Sequence, residues 1–492
     1  MKKILYLPIE TIVRELDARL LVAHQAVNRG YSVIIGHKHN VLKAGKILGS
    51  GVYFNKAHGP ENFPKNKESF GSNIQYVSLD EEGLVFVDDE EYLRNSRPDT
   101  LEHLDIVFTW GSYQKDLLIK KNPALESKTV AVGNPRFDLL RKEFTPLYDL
   151  ISSKIIKKWG RYILINTRFA PGNYSRLYGI DYVEAKIHKF IRFIGRQPTA
   201  AEEAFIVEEA QYYRELFNQY VKILKVLSEK FPDINFILRP HPSEDIINWE
   251  EALKDLNNVH VVFEGTAIDW IIGAIAVVHT GCTTGIEAWA LKKPVIAYNP
   301  NKKEGIEPPL PNKFGFRINN PAELCCSLSD IINGKSKKTK TDIYKDQLKL
   351  AGKYIENISG DYSVTGFLNA IGEKFGNINN SSGFIEKNDF RKLKKMETAK
   401  GAVKFIVLKF LSKHQSSIVK IAGSKLSDFI FNRFKKYPGL MAEFKKFPGL
   451  GTGEIKHKLN YYDSIFYKNS YREYQVMKIA TDTYVIFRNP ER

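Results

Sequence analysis

The sequence predicts an α/β protein of two Rossmann-like domains with a basic, mostly helical C-terminal extension. Three observations carry this. Residues 1–36 read strand, helix, strand within about one βαβ length. A later stretch, V-V-H-T-G-C-T-T-G-I-E-A-W-A-L-K-K-P-V-I-A-Y (277–298), reads strand, tight turn, helix, strand. Finally, residues 381–460 hold 18 Lys/Arg against 6 Asp/Glu, a net +12 out of +17 for the 492-residue chain. The basic character therefore belongs to the tail, which argues for an electrostatic anchor and against a nucleic-acid groove through the body.

Taken in order, residues 3–8 form an apolar first strand, and Thr11 is placed to cap a helix that runs to Asn28 and closes at Gly30. Val13, Leu16, Leu20, Ala23 and Val27 make its core stripe. Strands follow at 31–36, 52–54, 74–78, 106–110 and 129–132, with a helix at 114–120, and the first domain spans 1–141. The second domain, 142–376, opens with a strand at 162–166 that ends in Asn166-Thr167-Arg168. Residues 169–200 read as irregular, rich in Gly, Tyr, Arg and His. A long helix (201–230) leads to a strand (234–239), then Pro240-His241-Pro242-Ser243-Glu244, a strand (260–263) and a short helix (266–272). The 277–298 stretch supplies a turn at 280–284 and a helix at 285–291. Helices at 321–332 and 345–357 are candidates to return over the first domain, and 377–492 reads as linker plus extension.

The chemistry concentrates where parallel strands end, because ligands of open α/β sheets bind at that edge. Arg168, the run Arg239-Pro240-His241-Pro242-Ser243, and the turn with Gly281, Thr283, Thr284 and Gly285 should converge there. Two arginines, a histidine held between prolines and a helix N-terminus suit a nucleotide phosphate. Thr283 and Thr284 are placed to cap that helix, the glycines admit a close ligand, and Glu287 is positioned for sugar hydroxyls. In the first domain Glu10 ends strand one and is the candidate base or nucleophile, with Arg14 one turn on. Asp138 is a weaker candidate, better read as starting a helix.

Several classes are disfavoured. No Gly-x-Gly-x-x-Gly follows a strand, and Gly449-x-Gly451-x-Gly453 lacks a βαβ context, which argues against hydride transfer. No Walker motif is present, so NTP hydrolysis is disfavoured too. No His/Cys spacing or Asp-x-Asp asks for a metal, and no cofactor is expected. Cys282, Cys325 and Cys326 form no disulfide framework and suit a reducing compartment. No signal peptide is read at the N-terminus, and no apolar run approaches the ~20 residues of a membrane span.

Five motifs then carry a resemblance: P-I-E-T-I-V-R-E-L-D-A-R-L, V-G-N-P-R-F-D-L-L, I-N-T-R-F, R-P-H-P-S-E and H-T-G-C-T-T-G-I-E-A-W-A-L-K-K-P-V-I-A-Y. Over roughly residues 1–360 they resemble the bacterial surface carbohydrate biosynthesis proteins. More distantly they are similar to capsule and O-antigen Kdo transferases and bacterial sialyltransferases. The resemblance implies a GT-B architecture, two Rossmann-like domains facing across a cleft, with His241 and Thr283–Thr284 on the phosphate of CMP. It implies a glycosyltransferase that moves an acidic sugar, Kdo-like or nonulosonate, from a CMP-activated donor to a lipid-linked glycan acceptor. The setting would be the cytoplasmic face of the plasma membrane, with residues 400–450 resting on the anionic surface. There Phe434-Lys-Lys-Tyr-Pro-Gly-Leu440 is echoed by Phe444-Lys-Lys-Phe-Pro-Gly-Leu450. A CDP-glycerol-type glycerophosphotransferase, a UDP-sugar 2-epimerase and a non-catalytic glycan- or membrane-binding scaffold are the competing readings.

Overall fold

A computed structural model describes residues 2–58, 63–335, 342–375, 385–396, 447, 449–467 and 472–488. The described chain divides into two compact units, one drawn from residues 2–147, 342–396 and 447–488, the other from 148–335. The first six strands are β1 (Ile4–Ile9), β2 (Ser32–His37), β3 (Gly51–Asn55), β4 (Ile74–Leu79), β5 (Ile106–Thr109) and β6 (Thr129–Ala131). The second unit holds β7 (Tyr162–Asn166), β8 (Asn235–Arg239), β9 (Val259–Val261), β10 (Ala276–His279), β11 (Val295–Tyr298) and β12 (Phe316–Ile318). The C-terminal strands are β13 (Tyr474–Ala480) and β14 (Thr483–Arg488).

Each unit is a Rossmann-like layer of helices on a sheet. The second sheet runs β12-β11-β10-β7-β8-β9, parallel throughout. Its central strands β7, β10 and β11 are buried at every position, as are β1, β2 and β3 in the first unit. Helices cover both faces of such strands, which explains continuous apolar runs instead of alternation. The first sheet runs β13-β14-β2-β1-β3-β4-β5-β6, its six N-terminal strands parallel and the β13–β14 hairpin antiparallel beside β2.

That hairpin corrects the expected separate extension at 377–492. Residues 474–488 complete the first sheet, and helix Thr452–Phe466 packs on helix Ile12–Asn28. The polar flank of helix 12–28 is the reason. Lys458 pairs with Asp17 at 2.6 Å, Asp463 lies 2.9 Å from buried His24, and the Tyr462 hydroxyl donates to the Asp17 carbonyl at 3.1 Å. Residues 397–446, where most of the expected membrane segment falls, lie outside the described residues.

Other expectations shift too. Residues 342–375 belong to the first unit instead of the second: helix Asp342–Tyr354 packs on helix Ser112–Lys121 of that unit. Helix Pro321–Ile332, by contrast, stays in the second unit, where Leu324, Cys325 and Leu328 enter its core. The stretch 169–200 contains an ordered helix, Tyr182–Ile194, capped by Asp181. Thr11 occupies the cap position of helix 12–28 without a side-chain bond; buried Glu15 instead reaches back and accepts from the Glu10 and Thr11 N–H groups at 2.9 and 3.1 Å, tying the end of β1 to the helix start.

Candidate functional site

Register brings the three polar strand ends of the second unit side by side. His279 pairs with Asn166, and Asn166 with Arg239, so the turns after β10, β7 and β8 leave the sheet at one level. The turn after β8 is organised by the last residue of the motif R-P-H-P-S-E, to which the sequence analysis gave no role. Glu244 is fully buried, and its carboxylate accepts from the His241 N–H (3.0 Å), the Thr167 hydroxyl (2.8 Å), the Phe169 N–H (3.1 Å) and the Trp249 indole (2.8 Å). Burial pushes this carboxyl up, and the four donors work against that push. Glu244 therefore ties the ends of β7 and β8 into one rigid edge. The only trace in the sequence is an acid three residues after a histidine.

Within that frame the Ser243 N–H donates to His241 Nδ1 at 3.2 Å. An Nδ1 that accepts leaves Nε2 as the protonated nitrogen of the neutral ring, so His241 offers a donor. The Ser243 hydroxyl turns the other way, 3.3 Å from the Tyr178 hydroxyl. Arg168 donates to the Tyr213 hydroxyl at 2.9 Å.

Arg239 departs from the expectation. Its guanidinium donates to the carbonyls of Glu264 and Gly265, the latter at 3.1 Å, and lies over the Trp270 ring. Burial holds it down at about 10, against Asp269 and Glu264. This side chain braces the loop after β9 and is not presented as a second phosphate-binding arginine.

The 280–284 turn is corrected in detail. The helix spans Thr283–Ala290, so both threonines lie in its first turn; the cap residue is Cys282, with no side-chain cap bond. The Thr284 hydroxyl instead donates to Cys282 Sγ at 3.1 Å. Gly281 adopts φ +56 and its N–H donates to the Asn312 side chain at 2.8 Å. Gly285 is small for packing: a Cβ there would come within 2.1 Å of the His279 ring. Burial holds that ring neutral, at about 4. Glu287 is buried one turn along the same helix.

One further group at this edge escaped the motifs. Glu307 accepts from the Tyr212 hydroxyl and the Asn299 amide, and burial pushes it up to about 7, with Tyr212 and then the Arg168 charge pulling down. Nothing in G-I-E-P-P advertises it.

The first unit builds a separate charged edge. Glu10 pairs with Lys56 at 2.5 Å and Lys38 at 3.6 Å, while Arg14 pairs with Glu82 at 3.0 Å and Glu15 at 3.4 Å. Glu10 and Arg14 are thus held by different partners. Burial works against the Lys56 ammonium, and Glu15 and Glu10 outweigh it, so its pKa stands above the ordinary lysine value. At the end of β4, burial pushes Asp80 up to about 6, a second carboxyl the motifs did not single out. Asp138 ends helix Pro135–Asp138 and accepts from the Ser363 and Val364 N–H groups at 2.8 and 2.9 Å, which makes it a buried brace.

Among the described residues no group of three His, Cys, Asp or Glu is arranged to hold a metal, and no helix is long and apolar enough to cross a membrane. No family model matches the chain, and no curated protein matches it. Among solved structures it is similar to UDP-GlcNAc 2-epimerase from Neisseria meningitidis bound to UDP-GlcNAc, with a TM-score of 0.46 and 14% identity over 76% of this chain and 100% of that one. It is also similar to Anabaena HepE in complex with UDP-glucose, with a TM-score of 0.41 and 12% identity over 76% of this chain and 99% of that one. The wall teichoic acid polymerase TagF soaked with CDPG gives a TM-score of 0.41 and 12% identity over 65% of this chain and 71% of that one.

Proposed function

We propose that the chain is a glycosyltransferase of surface polysaccharide biosynthesis, transferring an acidic sugar from a CMP-activated donor to a lipid-linked glycan acceptor. The observation that carries the reading is the Ser243 N–H to His241 Nδ1 bond. It presents an Nε2–H donor at a sheet edge whose neighbouring helix, Thr283–Ala290, has no side-chain cap. A fixed donor and a helix N-terminus at the same sheet edge suit a phosphate oxygen whose charge grows as the glycosidic bond breaks. The CMP assignment itself rests on the resemblance of R-P-H-P-S-E and H-T-G-C-T-T-G to CMP-sugar enzymes.

In this reaction the bond between the anomeric carbon and the phosphate oxygen breaks, its electron pair leaving with CMP. The acceptor hydroxyl forms the new bond and gives up its proton. His241 and Arg168 stabilise the departing phosphate, Thr283 lies in the first turn of the helix that faces it, and Glu287 takes sugar hydroxyls. Glu10 is assigned to the acceptor proton, or to nucleophilic attack if configuration is retained, and Arg14 fixes the carboxylates around it. The test is release of CMP from CMP-Kdo and CMP-sialic acid in the presence of a lipid-linked glycan. His241→Ala should lower the rate by about 10²–10³ with the fold intact, the usual cost of one preorganised stabilising donor. Turnover within a few-fold of the parent in that variant contradicts the assignment.

A further inference from the structure

Three acids in a row, Asp80, Glu81 and Glu82, follow β4, and the fold uses them unequally. Glu81 is buried and pairs with Arg19 at 2.8 Å and Arg136 at 3.8 Å. Glu82 pairs with Arg14 at 3.0 Å. Asp80 enters no ion pair with a described residue: its Oδ1 accepts from the Glu82 N–H at 3.1 Å, and its Oδ2 accepts from none. It is only partly buried, so a ligand can reach it. Asp138, which burial also pushes up to about 6, is instead closed off beneath the Ser363 and Val364 N–H groups.

The turn that carries Asp80 is held by three segments. The Glu81 N–H donates to the Lys56 carbonyl at 3.1 Å, the Trp110 indole to the Asp80 carbonyl, and the Gln114 amide to the Gly83 carbonyl at 2.9 Å. Gly83 lies against Trp110, where a Cβ would come within 2.6 Å of the indole. A carboxyl on such a turn keeps its place while its second oxygen stays available. Strand order supplies its surroundings. β3 pairs with β1 on one side and β4 on the other, so Lys56 leaves the sheet between Glu10 and Asp80. Glu10 Oε2 is taken by two ammonium groups, Lys56 at 2.5 Å and Lys38 at 3.6 Å. The groups whose charge bears on Asp80 are Glu82 of its own turn, Lys56, Arg14 of helix 12–28 and Tyr92 of helix Asp89–Ser96.

We infer that Asp80 is the catalytic base that takes the proton of the acceptor hydroxyl. The inference rests on the transfer reaction proposed above and narrows it: the proton goes to Asp80 under either stereochemical outcome, and Glu10 keeps the nucleophilic role if configuration is retained. In the step that joins acceptor to sugar, the acceptor oxygen bonds to the anomeric carbon. The electron pair of the bond it displaces leaves with CMP, or with Glu10 in a retaining reaction, and the hydroxyl proton moves to Asp80 Oδ2. Asp80 then returns that proton to solvent. Burial lifts this carboxyl to about 6, Glu82 adds to the lift, and the Glu82 N–H, Lys56 and Arg14 pull against it. Such a group is still ionised near neutral pH yet holds a proton more firmly than an exposed aspartate, which suits a general base.

The experiment follows sugar transfer from CMP-Kdo and CMP-sialic acid to a lipid-linked glycan by the full chain, as a function of pH. Asp80→Asn should lower transfer by about 10²–10⁴ while its affinity for CMP stays within a few-fold of the parent's. In the parent, kcat/KM should fall about tenfold per pH unit below about 6, and that limb should be missing from the residual activity of Asp80→Asn. Formate should restore part of the transfer to Asp80→Ala, a rescue that a merely structural role does not give. Transfer by Asp80→Asn within a few-fold of the parent overturns the inference, and so does an acid limb that survives in it. Should both variants lose their cooperative melt, the parent decides: a kcat/KM that stays flat from about pH 8 to about pH 5 overturns the inference, and a limb near 6 supports it. A parent that releases no CMP from either donor strikes the donor reading and Asp80 with it, whereas an active parent with an equally active Asp80→Asn strikes Asp80 alone.

Discussion

Glu244 and Glu307 show what a carboxyl does once water is removed from around it. Glu244 accepts four donors from three segments. Glu244→Gln turns an acceptor into an amide that faces those donors, and should destabilise the second unit by about 1–3 kcal/mol, read by chemical denaturation. His241 should lose its hold at the same time, so nucleotide affinity falls along with stability. Glu307 makes a pH prediction. Burial raises it from 4.5 to about 7, so the folded chain keeps a proton that the unfolded chain releases between those values. Its contribution is full below 4.5 and is lost as pH rises through 7, with a slope of up to about 1.4 kcal/mol per pH unit. Glu307→Gln should flatten that part of the profile; an unchanged slope would mean that another group titrates. His241 was legible because His-Pro sits at a strand end, whereas both glutamates were not. Their roles depend on which segments close over them, and that information is spread along the chain.

At the scale of elements, the β13–β14 hairpin is the feature that sequence patterning located least well. It lies beyond a basic stretch and reads as part of an extension, yet Thr483–Ile486 pair with Val33–Gly36 across the sheet edge. Gly36 is the signal available in hindsight. It holds φ +146, and a Cβ would come within 2.1 Å of the Asp482 carbonyl oxygen. Gly36→Ala should destabilise the first unit by at least about 2 kcal/mol, from strain plus the displaced hairpin. Ending the chain at residue 380 should cost more, because it exposes the β2 edge and the buried His24 and Asp17 together. Loss of a cooperative melt for the first unit is the expected result; a truncated chain that melts like the parent would contradict the pairing. The helix at 182–194 was missed for a different reason. Gly, Tyr and Arg around it read as irregular, and its Asp181 cap and Gly195 stop stand out only once the helix between them is seen.

For the whole molecule, the places of most strands in the body and the polar edge of the second sheet followed from simple rules, whereas the strand order did not. Continuous apolar runs mark strands covered on both faces, and polar turns after them mark the ligand edge. What the rules could not assign was the use of each side chain at that edge. Arg239 and Gly285 carried the same motif weight as His241 and Thr283, but one braces a loop and the other makes room for His279. The central claim is therefore narrower than the motif set: the turn held by Glu244 presents His241 to a nucleotide phosphate. Calorimetric titration of CMP into the full chain and into its His241→Ala variant tests it most directly. Saturable binding of CMP by the parent, weakened about 10- to 100-fold in the variant as a lost bond to a charged group requires, is the predicted result. Equal affinity in the two proteins, or no binding of CMP by the parent, would contradict it.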